Sequence, residues 1–284
     1  MHHPQRISVV ITTYNRSDAL LQVLGALCLQ DDGDFEVVVA DDGSRPEHVQ
    51  VVLDSQAAQK LKLVHVWHPD VGFTASRVRN RGVCASSGEY LVFMDGDCVP
   101  EVDFIRKHRQ LAQPGFFVNG SRVMLSEALT QSVLQQHHTL CAKPWWRWLI
   151  WRLRGDASKL TGLLRLPDGA YRDQRDFKWK GIRSCNMGVW RSDFDVVNGF
   201  DESFVGWGHE DADFVLRLHN AGLQRKNGFC ATEVYHLWHK EYSRSQESVN
   251  AATVRARMQS GQTLPQEGFT NSCNGPEVIV RRLG

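Results

Sequence analysis

The chain has 284 residues, of which 42% are hydrophobic and 23% charged, and its formal net charge is +1. This composition is that of a globular protein with a substantial core, which excludes disorder of the whole chain. A net charge close to zero gives no overall basic field, and no basic stripe is visible, so a nucleic-acid partner is not expected.

Apolar runs bounded by polar turns alternate with amphipathic stretches in the first part of the chain. This alternation predicts an α/β fold with a parallel sheet and crossover helices. In chain order we predict strand 7–12, helix 19–29, strand 35–40, helix 46–60, strand 61–67, helix 75–86, strand 90–94 and strand 116–120. The pattern then becomes irregular up to residue 183. A further helix is predicted at 212–220, and the residues beyond 244 show no strong periodicity.

The seven cysteines are scattered, odd in number and never spaced as Cys-x-x-Cys. This spacing argues against a disulfide framework or a zinc knuckle and favours a reducing compartment. No secretory signal is visible at the start, and no run of about 18 apolar residues occurs. We therefore expect a cytoplasmic protein.

Polar clusters follow three of the predicted strands. They read TYNR at 13–16, DDGS at 41–44 and DGD at 95–97. The carboxyl ends of strands form the ligand crevice in open α/β sheets, so the three clusters predict one shared site. Neither G-x-G-x-x-G nor the P-loop pattern occurs, and a phosphate-bearing ligand would therefore need another partner, for which a metal ion is the natural candidate.

Asp95 and Asp97 leave the end of a buried strand together. Two neighbouring carboxylates favour a shared hard cation such as Mg²⁺ or Mn²⁺, although an Asp-Gly-Asp turn after a strand is also common structural chemistry. His236 follows a short apolar stretch at 231–235. A histidine there is more often packed or hydrogen-bonded than ligating, but its pairing with the two aspartates favours a metal site.

A second constellation lies at 198–213, where Trp207 stands between two glycines. Glycines permit a tight turn that projects the indole ring, and Glu210 and Asp211 begin the predicted helix. An aromatic face beside two acids is typical of a sugar-binding site. Acids are also favourable in the first turn of a helix, and this structural explanation is expected to hold for one of Glu210, Asp211 and Asp213.

These motifs together resemble a known family. SVVITTYNR at 8–16, VVVADDGS at 37–44, GF at 72–73 with VRNRG at 78–82, and DGD at 95–97 are similar to the ordered motifs of family 2 glycosyltransferases. NGFDESFVGWGHEDAD at 198–213 resembles the Gly-Trp-Gly-x-Glu-Asp region of β-1,4-galactosyltransferases and bacterial chondroitin polymerases.

The resemblance spans roughly residues 6 to 244 and implies a GT-A fold, with a mixed, mostly parallel sheet flanked by helices. It implies one domain at 1–244, with a nucleotide-sugar-binding half at 6–120 and an acceptor-binding half at 121–244. Residues 245–284 are left as a tail of unknown role.

The activity that the resemblance implies is transfer of a sugar, with inversion, from a nucleoside-diphosphate sugar to a hydroxyl of a saccharide acceptor. The implied cofactor is Mn²⁺ or Mg²⁺. UDP-hexose is the favoured donor and dTDP-rhamnose the second choice, because a carboxylate facing an imide N–H selects uracil or thymine over cytosine. The expected pathway is bacterial surface polysaccharide or lipopolysaccharide core synthesis.

The resemblance also assigns roles to residues. The expected nucleotide-binding residues are Thr13, Tyr14, Asn15, Arg16, Asp41 or Asp42, Arg77, Arg79, Asn80, Asp95, Gly96 and His239. The expected acceptor and sugar contacts are Asn186, Met187, Trp207, Gly208, Glu210 and Asp211. Asp97 and His236 are expected to ligate the metal with the help of Asp95, and Asp211 to act as general base. His209 replaces the small residue often found in the motif, which leaves the acceptor open.

Residues 144–154 read PWWRWLIWRLR, with four tryptophans and three arginines. If helical, this segment is typical of a membrane-interfacial helix. An aromatic lid or a core insertion around the acceptor explains it equally well. The first interpretation predicts weak peripheral association with the inner face of the cytoplasmic membrane and a lipid-linked acceptor.

Two other functions are compatible with parts of the sequence. A nucleotidyltransferase also joins a strand-end metal site to an α/β sheet, but it gives no reason for the motif at 206–211. A non-catalytic sugar-binding module of the same fold would need no general base, which the motif provides in Asp211.

Overall fold

The structure is a computed structural model that describes residues 3–136, 139–179, 181–240, 246–273 and 277–283. Within these residues the strands form one nine-stranded sheet and one three-stranded sheet. No helix of the described residues has both the length and the apolar character that crossing a membrane requires.

The secondary structure alternates strands and helices for most of the chain. The strands are β1 Ile7–Thr13, β2 Phe35–Asp41, β3 Leu63–Trp67, β4 Tyr90–Asp95, β5 Cys98–Pro100, β6 Phe116–Asn119, β7 Arg122–Met124, β8 Asp173–Gln174, β9 Asn186–Trp190, β10 Gln224–Asn227, β11 Val234–His236 and β12 Ile279–Leu283. The α-helices are α1 Ser17–Leu27, α2 Pro46–Leu53, α3 Gln56–Lys60, α4 Ala75–Ala85, α5 Phe104–Leu111, α6 Glu127–Gln136, α7 Trp145–Leu153, α8 Arg191–Val196, α9 Glu210–Asn220 and α10 Glu247–Ser260.

The elements predicted in the first 95 residues are confirmed, with ends shifted by one or two residues and one exception. The predicted helix 46–60 is divided into α2 and α3. Ser55 adopts an extended backbone between them, and its side chain accepts a hydrogen bond from the N–H of Ala58 at 3.2 Å. Serine is a strong N-cap residue, so it starts a new helix here rather than continuing the old one.

The large sheet has the strand order β12-β3-β2-β1-β4-β9-β6-β10-β8. Strand β1 lies between β2 and β4 and is parallel to both, with Thr13 opposite Asp41 and Thr12 opposite Asp95. This register brings three strand ends to the same height at one edge of the sheet. The three polar clusters that follow these strands therefore meet, as the sequence predicts.

The core consists of two apolar layers, one on each face of the sheet. Successive side chains of a strand point to opposite faces. Val9 accordingly packs in one layer with Leu24 of α1, and Val10 packs in the other with Val83 of α4. Helix α9 joins the second layer through Phe214. The sheet is thus covered by helices on both sides.

The small sheet has the order β5-β11-β7 and stands over the carboxyl end of β4. Strand β11 pairs antiparallel with β5, and this register sets His236 opposite Cys98. Cys98 directly follows Asp97 in the sequence. The strand pairing therefore places His236 next to the Asp-Gly-Asp turn, although the histidine lies far from this turn in the sequence.

The residues after 244, for which the sequence predicts no element, add a helix and a strand. Helix α10 packs on α9, and β12 pairs antiparallel with β3 at the edge of the large sheet. Cys84 and Cys273 form a disulfide across a separation of 189 residues, and the other five cysteines are free. This bond corrects the expectation from cysteine spacing, because spatial proximity and not spacing in the sequence decides which thiols can pair.

Helix α4 lies so close to the sheet that a Cβ at Gly82 would approach Val10 Cγ1 to 2.7 Å and Ala40 Cβ to 3.1 Å. We expect Gly82→Ala to lower the free energy of unfolding by about 1–3 kcal/mol, because overpacking outweighs the better helix propensity of alanine. Gly25→Ala in α1 is the control, since its Cβ would meet nothing within 4 Å. Urea unfolding followed by circular dichroism measures both, and equal effects would contradict the close contact.

Candidate active site

A cavity of about 810 Å³ opens at the carboxyl ends of β1, β2 and β4. The structure brings 14 of the predicted site residues to its wall, namely Thr13, Tyr14, Arg16, Asp42, Arg79, Asp95, Gly96, Asp97, Trp207, Gly208, Glu210, Asp211, His236 and His239. The cavity therefore joins the strand-end clusters to the beginning of α9 and to the end of β11.

Six predicted site residues do not line this cavity: Asn15, Asp41, Arg77, Asn80, Asn186 and Met187. Asp41 is buried, where it accepts a hydrogen bond from the N–H of Ser44 at 2.7 Å and lies 3.1 Å from Nε2 of His65. The Asn15 side chain accepts from the N–H of Arg45 at 2.9 Å. Both side chains shape the loops around the cavity instead of facing it.

The other four stabilise the fold behind the cavity. Arg77 pairs with Glu202 at 3.1 Å, and Asn80 donates to the carbonyl of Phe200 at 2.9 Å. Asn186 is buried and bonds His108 at 3.1 Å, while Met187 is fully buried in the apolar core. The four side chains have protein partners or apolar packing away from the described cavity, and their predicted ligand contacts stay predictions.

Asp42 is the aspartate after β2 that faces the cavity. Nε2 of His68 lies 2.8 Å from its Oδ1, the N–H of Thr74 donates to its Oδ2 at 2.9 Å, and the hydroxyl of Thr74 also donates to Oδ1. These contacts occupy three of the about four acceptor positions of a carboxylate. One acceptor position on Oδ2 is left for a donor group in the cavity.

Tyr14 and Asp70 form the neighbouring part of the wall. The Tyr14 hydroxyl donates to Asp70 Oδ2 at 2.7 Å. Gly43 lies directly behind, with a φ of +92°, and a Cβ there would meet the backbone of Asp70 at 2.5 Å. Only glycine permits both this backbone conformation and this approach, so Gly43 holds the loops after β2 and β3 together.

Arg79 joins the two acidic clusters of the cavity. Its guanidinium donates to Asp95 at 3.3 Å and to Glu210 at 3.1 Å, and the residue is 4% exposed. Burial lowers the pKa of Arg79, but the carboxylates of Asp95, Glu210 and Asp211 outweigh burial and raise it above its ordinary value. The guanidinium therefore stays charged and ties the Asp-Gly-Asp turn to the beginning of α9.

Asp211 is half-buried, and its carboxylate accepts from the N–H of Ala212 at 2.7 Å and from that of Ser184 at 3.4 Å. Burial and the adjacent Glu210 raise the pKa of Asp211 to about 7, against the opposing effects of Arg79 and of the two N–H groups. A carboxylate with this pKa accepts a proton readily near neutral pH, which suits a general base.

Asp213 is the acid at the start of α9 that has a structural role. It is fully buried, 2.8 Å from Arg217 and 2.6 Å from Arg257. Glu210 and Asp211 face the cavity instead. One of the three acids therefore serves the fold, but through ion pairs with two arginines and not through the helix capping that the sequence suggests.

Asp97, His236 and His239 come together in the cavity wall. Asp97 Oδ1 lies 3.7 Å from Nε2 of His236, and Asp97 Oδ2 lies 3.3 Å from Nε2 of His239. A separation of 3.7 Å is too long for a hydrogen bond. It is compatible with two ligands of one ion, because ligand atoms about 2.1 Å from the same ion lie within about 4.2 Å of each other.

The protonation state of His236 also fits metal binding. Burial lowers the pKa of His236, and Arg122 and His239 act in the same direction against the pull of Asp97 and Asp95. The ring is therefore neutral at neutral pH, which is the form that binds metals. Its Nδ1 is buried and has no hydrogen-bond partner in the described part of the chain. Carboxylate oxygens with a neutral imidazole suit Mn²⁺ or Mg²⁺.

Two thiols not singled out in the sequence lie behind these carboxylates. The sulfur atoms of Cys98 and Cys185 and a carboxylate oxygen of Asp95 lie within 4.8 Å of one another. Burial raises the pKa of the Cys98 thiol well above its ordinary value. A thiol that keeps its proton is a poor metal ligand, so the carboxylates and the imidazole are the better candidates.

The predicted tight turn around Trp207 is present. Gly206 and Gly208 have φ values of +76° and +107°, which favour glycine. His209 follows with a φ of 71°, a conformation that costs a non-glycine residue about 1–3 kcal/mol. Glycine would adopt this conformation without the cost, and the ring of His209 meets Trp179 edge-on at 5.1 Å between centroids.

The sequence profile of glycosyl transferase family 2 matches residues 8–178, which is more than half of the chain. The chain belongs to glycosyl transferase family 2. A second profile, the N-terminal domain of galactosyltransferase, matches residues 169–240, which contain α9 and β11. Both resemblances predicted from the motifs are confirmed.

Curated relatives of this glycosyltransferase act on different compounds. Validoxylamine A glucosyltransferase of Streptomyces hygroscopicus subsp. jinggangensis is 31% identical over 231 residues, covering 78% of this chain and 53% of that protein. Chondroitin synthase of Escherichia coli is 26% identical over 253 residues, covering 83% of this chain and 34% of that protein. The chain thus spans about half the length of the first relative and about a third of the second.

Solved structures show the fold of the glycosyltransferase. Mannosyltransferase PcManGT from Pyrobaculum calidifontis, in complex with GDP-Man and Mn²⁺, is similar with a TM-score of 0.56 at 16% identity, covering 93% of this chain and 70% of that one. TarS of S. aureus is similar with a TM-score of 0.57 at 13% identity, covering 94% and 41%. The predicted GT-A fold is confirmed.

Some cavity residues of the glycosyltransferase were not predicted: Asp70, Arg122, Trp179, Arg183 and Trp238. Asp70 follows β3, and the strand-end rule that identified the other clusters applies to it equally. Trp238 lies between the two histidines at 236 and 239. The other three belong to segments with irregular patterns, where nothing in the sequence distinguishes them.

Helix α10 of the tail supports the loop around Trp207 from outside the cavity. The side-chain amide of Asn250 donates to the carbonyl of Gly208 at 2.9 Å. Arg257 lies 2.6 Å from Asp201 and 2.6 Å from Asp213, and all three are buried. The loop that carries Trp207 is therefore held in place by residues beyond both profile matches.

We expect Asp211→Asn to stabilise the protein at pH 8 and not at pH 4. The unfolded aspartate has a pKa of about 4, whereas the folded pKa is about 7. The folded protein therefore retains a proton that the unfolded chain has released, and wild-type stability falls as pH rises from about 4 to about 7. Asparagine does not titrate, so its unfolding temperature should exceed that of the wild type by a few degrees at pH 8. A pH-independent difference would contradict the raised pKa.

We expect Asn250→Ala to loosen the loop around Trp207, because it removes the bonds to the carbonyls of Gly208 and Val205. A hydrogen bond contributes about 1 kcal/mol, so hydrogen exchange of the amides at 205–213 should accelerate about fivefold. Thr253→Ala is the control on the same helix, since its hydroxyl bonds the carbonyl of Val249 within α10. Unchanged exchange in the first variant would show that α10 does not order the loop.

Proposed function

We propose that this family 2 glycosyltransferase moves a sugar from a nucleoside-diphosphate sugar to a hydroxyl of a saccharide acceptor, with inversion and with a divalent metal ion. One observation carries the proposal. The wall of a single cavity carries a carboxylate and a neutral imidazole, Asp97 and His236, together with a carboxylate of raised pKa, Asp211. The first pair suits a metal-bound diphosphate and the second group suits an acceptor hydroxyl.

The donor nucleotide is proposed to occupy the part of the cavity lined by Thr13, Tyr14 and Asp42. The acceptor position left on Asp42 Oδ2 matches one imide N–H of uracil or thymine. A UDP-hexose is therefore our first choice and dTDP-rhamnose the second. Arg16 lies on the same part of the wall, where a guanidinium can contact a phosphate or the ribose.

Asp97 and His236 are proposed to hold Mn²⁺ or Mg²⁺, together with Asp95. When bound, the ion supplies positive charge against the diphosphate as it leaves. His239 lies 3.3 Å from Asp97, where its ring can donate to a diphosphate oxygen. Arg79 is buried between Asp95 and Glu210, and its contact with Asp95 fixes the orientation of that carboxylate.

Asp211 is proposed to take the proton of the acceptor hydroxyl as its oxygen attacks the anomeric carbon. The new glycosidic C–O bond forms on one face while the bond to the diphosphate oxygen breaks on the other, so the anomeric configuration inverts. The diphosphate leaves with the bonding electron pair. The pKa of about 7 for Asp211 supports this role, because a base is most efficient when its pKa is close to the working pH.

The acceptor is proposed to lie on the aromatic side of the cavity, next to Trp207, Trp179 and Trp238. Indole faces pack against the apolar faces of sugar rings, and Glu210 stands beside Asp211 to orient a second hydroxyl. We place the reaction in the synthesis of a bacterial surface polysaccharide or lipopolysaccharide core, in the cytoplasm. Five free thiols support that compartment, although one disulfide is present.

A thermal-shift screen of nucleotide sugars with Mn²⁺ tests the donor and the metal together. We expect UDP-hexoses to raise the unfolding temperature most, dTDP-rhamnose next and GDP-mannose least. A ligand at 100 times its dissociation constant adds about 2.7 kcal/mol, which corresponds to about 5 °C or more for a chain of this size. Asp97→Asn should lose this shift, and Asp54→Asn, at an exposed residue outside the cavity, should keep it.

Hydrolysis of the stabilising nucleotide sugar then tests catalysis. We expect slow metal-dependent release of the nucleoside diphosphate by the wild type and loss of at least about 100-fold in Asp97→Asn. No shift with any nucleotide sugar would overturn the proposed donor class. Equal shifts with and without Mn²⁺ would overturn the metal dependence alone.

A further inference from the structure

Helix α7 presents an apolar surface to solvent. The exposed fractions are 66% for Trp145, 47% for Trp146, 39% for Leu149, 39% for Ile150 and 79% for Leu153. We call these five residues the α7 face. Nothing in the described part of the chain covers them, and clustered exposed side chains of this size mark interaction sites in soluble proteins.

The opposite side of α7 attaches the helix firmly to the protein. Trp148 is buried and stacks on the ring of Tyr235, with 4.1 Å between centroids. Trp151 packs edge-on against Trp148 at 4.8 Å. The hydroxyl of Tyr235 donates to Glu101 at 2.6 Å. The helix is therefore fixed through two tryptophans, and its exposed face has a defined orientation.

The structure separates the two explanations of this tryptophan-rich segment. No residue of α7 lines the described cavity, so the segment is not an aromatic lid over the acceptor. Trp148 lies in the apolar core and Trp151 packs against that core, so these two residues fit the explanation of the segment as a core insertion. The five residues of the α7 face have neither role.

The charged residues in the segment that carries the α7 face have one sign. The sequence contains no acidic residue between Glu127 and Asp156, a stretch that contains the basic residues Lys143, Arg147, Arg152 and Arg154. The three arginines are exposed, and the guanidinium of Arg147 lies 5.6 Å from the ring centre of Trp146. In a chain of net charge +1, this local excess points to a negatively charged partner.

We propose that the α7 face docks on the surface of a membrane that contains anionic phospholipids. The indole rings of Trp145 and Trp146 are suited to the headgroup layer, since each has an apolar body and one N–H. The aliphatic residues enter the upper acyl region, and the arginines contact lipid phosphates. The association is peripheral and is expected on the inner face of the cytoplasmic membrane.

The cavity wall is connected to the segment that follows α7. The N–H of Ser158, five residues after the last residue of α7, donates to the carbonyl of Met124 at 3.0 Å, and the N–H of Met124 donates to the Ser158 hydroxyl at 2.8 Å. Met124 and Trp238 line the cavity and are 39% and 41% exposed. This connection between the docking element and the cavity suits a saccharide acceptor attached to a lipid. This last step rests on the proposed function.

Co-sedimentation with lipid vesicles tests the docking surface. We expect the wild type to sediment with vesicles of phosphatidylcholine mixed with phosphatidylglycerol, and much less with phosphatidylcholine alone. One basic residue near an anionic surface changes the partition coefficient about fivefold. Arg147→Glu combined with Arg152→Glu should therefore lower it by at least about 25-fold. Lys60→Glu combined with Lys62→Glu makes the same change in net charge at exposed residues outside the α7 face and should have little effect.

The apolar contribution has its own variant and control. Trp146→Ser combined with Leu153→Ser should reduce the partition coefficient about tenfold or more, because burial of the two side chains is lost. Leu29→Ser combined with Val51→Ser changes residues that are 50% and 48% exposed elsewhere and should bind as the wild type does. All four variants alter exposed residues, and unchanged circular dichroism will confirm that they are folded.

Three results would overturn the docking proposal. One is a wild type that remains in the supernatant with anionic vesicles, and another is undiminished binding by both α7 variants. The third is a wild-type dimer in sedimentation velocity that Trp146→Ser with Leu153→Ser converts to a monomer, since a second copy would then cover the α7 face. Failure of the proposed function is distinguishable, because it appears as absent nucleotide-sugar binding in a protein that still sediments with vesicles.

Discussion

The buried guanidinium of Arg79 is the interaction on which the rest of the site depends. It contacts Asp95 at 3.3 Å and Glu210 at 3.1 Å, and these carboxylates come from opposite halves of the chain. Without a cation between them, Asp95, Glu210 and Asp211 would repel one another at the wall of one cavity. Burying the guanidinium alone would also be costly. The buried guanidinium and the carboxylates around it are tolerated because each lies next to the opposite charge.

The same arrangement gives two groups in the cavity wall different proton chemistry. Burial and Glu210 raise the pKa of Asp211 further than Arg79 lowers it, so the carboxylate can exchange a proton near neutral pH. Burial keeps His236 neutral beside Asp97. Asp211 is thus suited to accept a proton, and Asp97 with His236 is suited to bind a cation. The proposed transfer from a charged leaving group to a neutral hydroxyl needs both properties.

The parts that fall outside the motifs support and orient this cavity. Helix α10 bonds the loop around Trp207 through Asn250 and ties α9 to the rest of the chain through Arg257. Helix α7 packs its buried Trp148 against Tyr235, the residue next to His236. The inner side of α7 therefore supports the proposed metal-binding strand while its outer side faces away from the protein. Support of the site and the proposed docking surface are thus combined in a single helix.

The sequence by itself determined the α/β class, the elements before residue 95 and the family, because strand periodicity and the motifs are local features. It also identified Asp95, Asp97, Asp211 and His236, since acids and a histidine at strand and helix ends are visible without a fold. Only the tertiary structure shows that Asp42, and not Asp41, lines the cavity. It also shows that the side chains of Asn80 and Asn186 are bonded inside the protein and that Cys84 pairs with Cys273. Each of these outcomes depends on contacts between distant segments, and hydrogen bonds, burial and bridging across the fold leave no local signal in the chain.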